Sequence, residues 1–383
     1  MVANALADSN RPVISGKSPG CPVFTLHTRS RAIDRVPAGR RGRPAPERWA
    51  IVLAGGEGTR MRPLISHWLG GDRPKQYCTF VGSRSMFQHT LDRACSVVPE
   101  EHIVTVIGRG HRKFLAESAD ENLPGVVLEQ PGNFGTAPGV FLPLTYVLAD
   151  NPEATILLLP SDHFVYPEDR FCDHAIHALE LAERHLDQVI LVGAVPDRAE
   201  TDYGWIDPHA ARPEGHGALT TQAAPPPARG AMKVVYFREK PDETEARALF
   251  RQGCLWNTMV LAVNAKTLWA LGRQCLPEIM YKFEALLMVL RAVRAGRLDP
   301  QYETSALASV YADLAPADFS RNVLQHISHR SLVLPMEGVN WCDWGRPQRV
   351  AETLAGLGRR PLFPAHYIEK VLEPAALANG VLV

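Results

Sequence analysis

No two of the seven cysteines in this 383-residue chain form a C-x-x-C pair, and they are scattered and odd in number. That argues against a zinc ribbon or a disulfide framework and fits a reducing compartment. No apolar run is long and clean enough to span a bilayer. The first residues also lack the basic-then-apolar order of a secretory signal. The expectation is a cytoplasmic protein with no membrane partner. An excess of charge is missing too: Lys+Arg and Asp+Glu both number 41. A broad nucleic-acid face needs a net basic surface, so nucleic acid is not expected as a partner, and an acidic phosphate substrate would have to be held by a few local cations. No internal repeat occurs.

What is present is the balance of a globular chain, 46% hydrophobic and 21% charged residues, long enough for one large domain with an appendage or for two ordinary domains. Residues 1–47 are rich in Arg, Ser, Pro and Gly, poor in acids and without apolar period, which predicts a disordered N-terminal extension. An organelle transit peptide has similar composition; a plain tail or a start placed too far upstream is the blander alternative.

From Trp49 the pattern changes. Trp49-Ala50-Ile51-Val52-Leu53-Ala54 is a continuous apolar run closed by Gly55-Gly56, the signature of a buried strand feeding a glycine-rich loop. Similar runs at 103–107, 126–128, 155–159 and 189–192 alternate with amphipathic stretches at 86–97, 137–149 and 171–185. This predicts an α/β fold, a Rossmann-like and mainly parallel sheet flanked by helices, as the catalytic domain over 48–263. Within it, strands are expected at 203–206 and 232–237, separated by a loop containing Pro225-Pro226-Pro227. Residues 264–383 are expected to form a smaller, mostly helical region that completes the site, with helices at 266–275, 277–295, 305–314 and 347–356 and a short strand at 332–334.

The chemistry begins at Leu53-Ala54-Gly55-Gly56-Glu57-Gly58-Thr59-Arg60-Met61-Arg62-Pro63-Leu64, followed by Pro74-Lys75-Gln76. Glycines after a first strand let backbone N–H groups approach phosphate oxygens, and the next helix offers its positive end. Arg60 and Lys75 could then neutralise charge on a nucleotide's phosphorus and on departing pyrophosphate. The Gly-Lys-Ser/Thr ending of a Walker loop is absent, and so is the third glycine of a dinucleotide fingerprint. On glycine alone, a structural turn is nearly as good a reading.

The string Gly-Gly-x-Gly-Thr-Arg-x-x-Pro-Leu with a downstream Pro-Lys resembles the signature of nucleoside-diphosphate-sugar pyrophosphorylases. Pro74-Lys75-Gln76 resembles the mannose-1-phosphate guanylyltransferase branch of these sugar-phosphate nucleotidyltransferases. Further segments match in order. Gln130-Pro131-Gly132-Asn133-Phe134-Gly135-Thr136-Ala137-Pro138 is similar to the base-binding segment and Pro160-Ser161-Asp162-His163 to the metal-binding turn. Glu200-Thr201-Asp202-Tyr203-Gly204-Trp205-Ile206 and Phe237-Arg238-Glu239-Lys240-Pro241 are similar to sugar-phosphate segments. Trp256-Asn257-Thr258-Met259 resembles the sugar loop, Trp341-Cys342-Asp343-Trp344-Gly345 the second metal element, and Asp318-Phe319-Ser320-Arg321 also fits the branch.

The resemblance implies transfer of a guanylyl group from GTP to mannose 1-phosphate, giving GDP-mannose and pyrophosphate. It implies Arg60, Lys75 and Asp162 as catalytic residues, with Asp162 and Asp343 holding Mg²⁺ or another divalent cation. Leu53, Gly55, Gly56, Gly58, Thr59, Gln130, Gly135 and Thr136 would bind nucleotide, and Gly204, Glu239, Lys240 and Asn257 the sugar phosphate. A homo-oligomer is left open. The isomerase extension and the left-handed β-helix tail of relatives are not expected.

Residue chemistry agrees. Asp162 ends a strongly apolar run, and ligands in open α/β sheets bind beyond the carboxyl ends of strands; a helix N-cap is the rival role. Asp343 stands among tryptophans, where an unpaired carboxylate is costly, so either a metal or a buried salt bridge should satisfy it. Lys240 suits a phosphate point contact; Glu239 and Asn257 suit sugar hydroxyls. Cys172, His174, His177 and His185 lack a convincing fourth ligand and are taken as a solvated helix face. Two positions depart from the branch. Phe134 stands where it usually places Arg, and Thr258-Met259 where the sugar loop more often reads Ser-Gly. These departures favour the alternative of a catalytically weakened, nucleotide-sugar-binding regulatory homologue; within the enzyme class, another sugar 1-phosphate or base is the alternative.

Overall fold

The computed structural model describes residues 47–117, 123–208 and 230–364. The extension expected over 1–47 lies outside them but for its last residue, as does the triple-proline loop. The strands are β1 (Arg48–Ala54), β2 (Ile103–Ile107), β3 (Val126–Glu129), β4 (Thr155–Pro160), β5 (Phe164–Tyr166), β6 (Val189–Ala194), β7 (Gly204–Asp207), β8 (Met232–Lys233), β9 (Tyr236–Glu239), β10 (Leu255–Asn264), β11 (Ser331–Met336) and β12 (Asn340–Cys342). The helices are α1 (Arg62–Leu69), α2 (Met86–Cys95), α3 (Arg112–Ala116), α4 (Thr136–Asp150), α5 (Glu168–Arg184), α6 (Glu243–Gln252), α7 (Ala265–Cys275), α8 (Pro277–Arg294), α9 (Gln301–Ala312), α10 (Phe319–Asn322) and α11 (Pro347–Gly356).

The main sheet runs β3-β2-β1-β4-β10-β6-β11-β8, with β7 joined to β10 and to β9. Its continuous apolar strands are explained by burial on both faces. In β1, Trp49 and Ile51 enter one core with α4, α7 and α8, while Ala50, Val52 and Ala54 enter the other with α2 and α5. β4 and β6 divide their side chains in the same way, the two-residue alternation of a strand.

The β3-β2-β1-β4 half is parallel, as is β6-β11. The sheet is therefore mixed: β10 runs antiparallel to both β4 and β6 in its centre. The expected sugar loop at Trp256-Asn257-Thr258-Met259 is part of this strand, and its register breaks between Asn257 and Leu261. The C-terminal region contributes α7, α8 and α9, but also β11 to the main sheet.

A separate two-stranded ribbon positions the site. β5 and β12 pair antiparallel with Cys342 opposite Phe164. Asp162 lies two residues before β5 and Asp343 directly after β12, so this register draws the two carboxylates to one end of the ribbon. A third apolar cluster supports it from behind, joining Met61, Leu64 and Ile65 to Trp344, Val350 and Leu354.

Candidate active site

The carboxyl ends of β1 and β4 open onto a cleft of about 380 Å³. Leu53, Gly55, Gly56, Arg60, Lys75, Gln130, Gly135, Thr136, Asp162, Gly204, Glu239, Lys240, Asn257 and Asp343 all line it. Of the residues expected at the site, Gly58 and Thr59 stand off the lining.

The glycine-rich loop is held by Gln76, whose side-chain amide donates to the carbonyls of Ala54 (2.9 Å) and Gly56 (2.8 Å). Gly58 turns the chain at φ 59, and a Cβ there would sit 3.0 Å from the Lys75 nitrogen, so a side chain would push against the segment that carries Lys75. Thr59 opens a single 3₁₀ turn whose second residue is Arg60.

Lys75 is buried and joins the Asp162 turn to the Asp343 turn: its Nζ is 3.1 Å from Asp162 Oδ2 and donates to the Asp343 carbonyl. Asp162 caps no helix, because the strand β5 follows its turn. Burial opposes its charge, but Lys75 and His163 outweigh that and hold its carboxyl below the ordinary aspartate range. Asp343 is also pulled down: against burial stand Lys75, Arg349, the Gly345 N–H and the Tyr203 hydroxyl. Its Oδ1 accepts from Tyr203 (2.8 Å), Gly345 N (2.9 Å) and Arg349 (2.8 Å), so the buried salt bridge weighed from the sequence does form. Oδ2 takes a 3.2 Å contact from Arg60.

Opposite these groups, the Gln130–Thr136 segment is stitched to the chain before α10. Ala317 N donates to the Phe134 carbonyl (2.9 Å) and Ala137 N to the Ala317 carbonyl (3.0 Å). Gly135 lies between them at φ 91, where a Cβ would come 2.3 Å from the Ala317 oxygen. The Thr136 hydroxyl accepts from Phe319 N (2.7 Å) and donates to Asp318 (3.2 Å). Phe134 does not line the cleft; its ring packs edge-on against Tyr311 with centroids 5.8 Å apart. Tyr311 in turn donates its hydroxyl to Gln130 (3.2 Å).

On the wall expected to hold the sugar phosphate, burial first and then the charge of Asp318 push the Glu239 carboxyl up to about 7, with Lys240 and Arg321 opposing. The Asn257 amide donates to Ser320 (3.3 Å), and its carbonyl accepts from Met259 N (3.1 Å). Met259 has φ 57, Lys240 φ 49 and Trp344 φ 45. Left-handed backbone at residues with a Cβ costs of order 1–3 kcal/mol each and clusters at functional sites. The glycine more often found in the sugar loop would avoid that cost at Met259.

Sequence reasoning carried Gln76, Glu200, Asp202, Tyr203 and Ser320 only within matched segments, with no role of their own, and did not single out Arg349. Asp202 and Tyr203 line the cleft, and Arg349 pairs with Glu200, Asp202 and Asp343. The available signal for Arg349 was an arginine directly before Val350 on the inward face of a short amphipathic helix.

Comparison with known proteins follows the same outline. The nucleotidyl transferase family model matches residues 49–355. A mannose-1-phosphate guanylyltransferase, RfbM, of Salmonella typhimurium is 30% identical over 301 residues, 77% of this chain and 56% of that protein. The alginate biosynthesis protein AlgA of Pseudomonas syringae pv. tomato is 29% identical over 302 residues, again 77% of this chain and 56% of its own length. The chain thus spans little more than half the length of these relatives. A solved structure from Thermus thermophilus, described as a mannose-1-phosphate geranyltransferase, superposes with a TM-score of 0.62 at 26% identity, covering 80% of this chain and 79% of that one. With the family model extending over most of the chain, and a glycine loop, carboxylates and cations converging on one cleft, this protein belongs to the nucleotidyl transferase family.

Proposed function

We propose that the chain transfers a guanylyl group from GTP to mannose 1-phosphate, releasing pyrophosphate. The observation that carries this reading is the convergence of Arg60, Lys75, Asp162 and Asp343 on the cleft that also holds the Gln130–Thr136 segment and the Glu239, Lys240 and Asn257 wall. The similarity to a mannose-1-phosphate guanylyltransferase supports the choice of base and sugar.

The donor set fits a hard divalent cation such as Mg²⁺, which takes few protein oxygens and completes its shell with water and phosphate. Asp162 and Asp343 supply the carboxylates, and the charge of Asp343 is felt at Asp162, though Lys75 and His163 outweigh it. Among the described residues no group of three or more His, Cys, Asp or Glu is arranged to hold a metal by itself, so substrate phosphates would share the ion. When bound, a divalent cation supplies charge stabilisation at the phosphoryl oxygens.

The chain's own groups bind and orient. The loop around Gly55 and Gly56 gives main-chain N–H groups room to approach phosphate. Arg60 and Lys75 stabilise negative charge as the sugar-phosphate oxygen attacks the α-phosphorus and the bond to pyrophosphate breaks. No side chain takes a covalent part. Glu239 and Asn257 hold sugar hydroxyls and Lys240 the sugar phosphate, so the remaining work is positioning. The reading of a weakened, regulatory homologue drew on Phe134 and Met259. Phe134 belongs to the packing against Tyr311, which removes one of those two supports. No helix among the described residues is long and apolar enough to cross a membrane.

The test is an assay of nucleotide-sugar formation over a panel of nucleoside triphosphates and sugar 1-phosphates. GTP with mannose 1-phosphate is expected to give the highest kcat/KM. A different preferred pair would reassign the substrates, and no product with any pair would favour the regulatory reading.

A further inference from the structure

Arg349 stands on α11 behind the cleft wall, 5% exposed. Its Nη1 donates to Asp343 Oδ1 at 2.8 Å. Its Nη2 lies 2.7 Å from Glu200 Oε2 and 2.9 Å from Asp202 Oδ2. The guanidinium carbon sits 4.8 Å from the centre of the Tyr203 ring. One cation thus gathers three carboxylates from two segments that are far apart in the chain. Arg60 and Arg346 reach the same Asp202 Oδ2, at 3.3 and 2.7 Å. Withdrawing three carboxylates even partly from water is costly unless donors are placed for all of them. A guanidinium fork can serve several acceptors in fixed directions, which an ammonium cannot.

We infer that Arg349 is a positioning residue: by holding Oδ1 of Asp343 and the carboxylate of Asp202, it fixes Oδ2 of Asp343 and the guanidinium of Arg60 at the cleft. Arg349 does not line the cleft; it acts through Asp343 and Asp202. The inference rests on the reading of Asp162 and Asp343 as metal carboxylates. Groups that orient a ligand from behind typically matter about 10- to 100-fold in metal affinity.

The experiment titrates Mn²⁺, alone and with GTP, into the intact chain, followed by electron paramagnetic resonance, for the wild type, Asp343→Asn and Arg349→Lys. Arg349→Lys keeps the charge but loses the fork. It is expected to bind Mn²⁺ about 10- to 100-fold more weakly, and in turnover assays to lower kcat while leaving KM for the sugar phosphate unchanged. Should Arg349→Lys fail to fold, Arg349→Gln combined with Glu200→Gln removes one buried charge of each sign and carries the same measurement. Wild-type Mn²⁺ affinity in the Arg349 variant, with only a lowered melting temperature, overturns this inference alone and leaves Arg349 a structural pin. Mn²⁺ uptake that is absent from the wild type even with GTP present, or indifferent to Asp343→Asn, overturns the metal reading and this inference together.

Discussion

The ammonium of Lys75 lies 3.1 Å from Asp162 Oδ2 and also donates to the main-chain carbonyl of Asp343. One buried cation therefore ties the turn after β4 to the turn after β12, where the sheet and the two-stranded ribbon meet. It holds the two carboxylate-bearing turns in register, and in the proposed transfer it would neutralise the negative charge that builds there.

Lys75→Met should show both effects. Removing one partner of a fully buried pair costs about 3–5 kcal/mol. The Asp162 side chain is 40% exposed, so solvent screening reduces the expected loss to about 2 kcal/mol. Urea unfolding measures that loss, and steady-state assay should show turnover about a hundredfold or more lower, the scale of lost electrostatic stabilisation. Stability falling without turnover would confine Lys75 to a structural role.

Phe134→Arg should leave the apparent constants for GTP and sugar phosphate unchanged. The ring meets Tyr311 rather than the cleft. The variant should instead lose the edge-on aromatic pair, about 0.5–1.5 kcal/mol, read as a lower urea midpoint. A nucleotide constant shifted tenfold or more would show that this side chain reaches the nucleotide.

Glu239 predicts a pH dependence of stability. Its carboxyl sits at about 7 in the folded chain against an ordinary value of 4.5, so the folded state holds its proton longer than the unfolded state. The stability this contributes is present below about pH 4.5 and is lost as pH rises through 7. Compared with Glu239→Gln, the wild type should lose ground steadily from about pH 4.5 to 7 and show a constant difference above about pH 8. Unfolding curves of both proteins across that range test this, and a difference that does not vary with pH would contradict it.

The parallel half of the sheet was legible because β1, β2 and β4 are buried on both faces and read as unbroken apolar runs. Asp162 was legible because it follows such a run directly. β10 was not, because its register break and the left-handed Met259 interrupt any two-residue period. The direction of Phe134 depends on Tyr311, contributed by α9 from a distant part of the chain, and no local pattern encodes that. Arg349 is a lone basic residue whose three carboxylate partners come together only in the folded chain.

The proposed guanylyl transfer at the Asp162 and Asp343 cleft depends on a divalent metal. GDP-mannose formation from GTP and mannose 1-phosphate, measured with Mg²⁺ and after chelation for the wild type and Asp162→Asn, tests it most directly. Product is expected from the wild type, none after chelation, and turnover lower by about two orders of magnitude in Asp162→Asn with its melting temperature retained. Near-normal turnover in Asp162→Asn together with activity that survives chelation would contradict it.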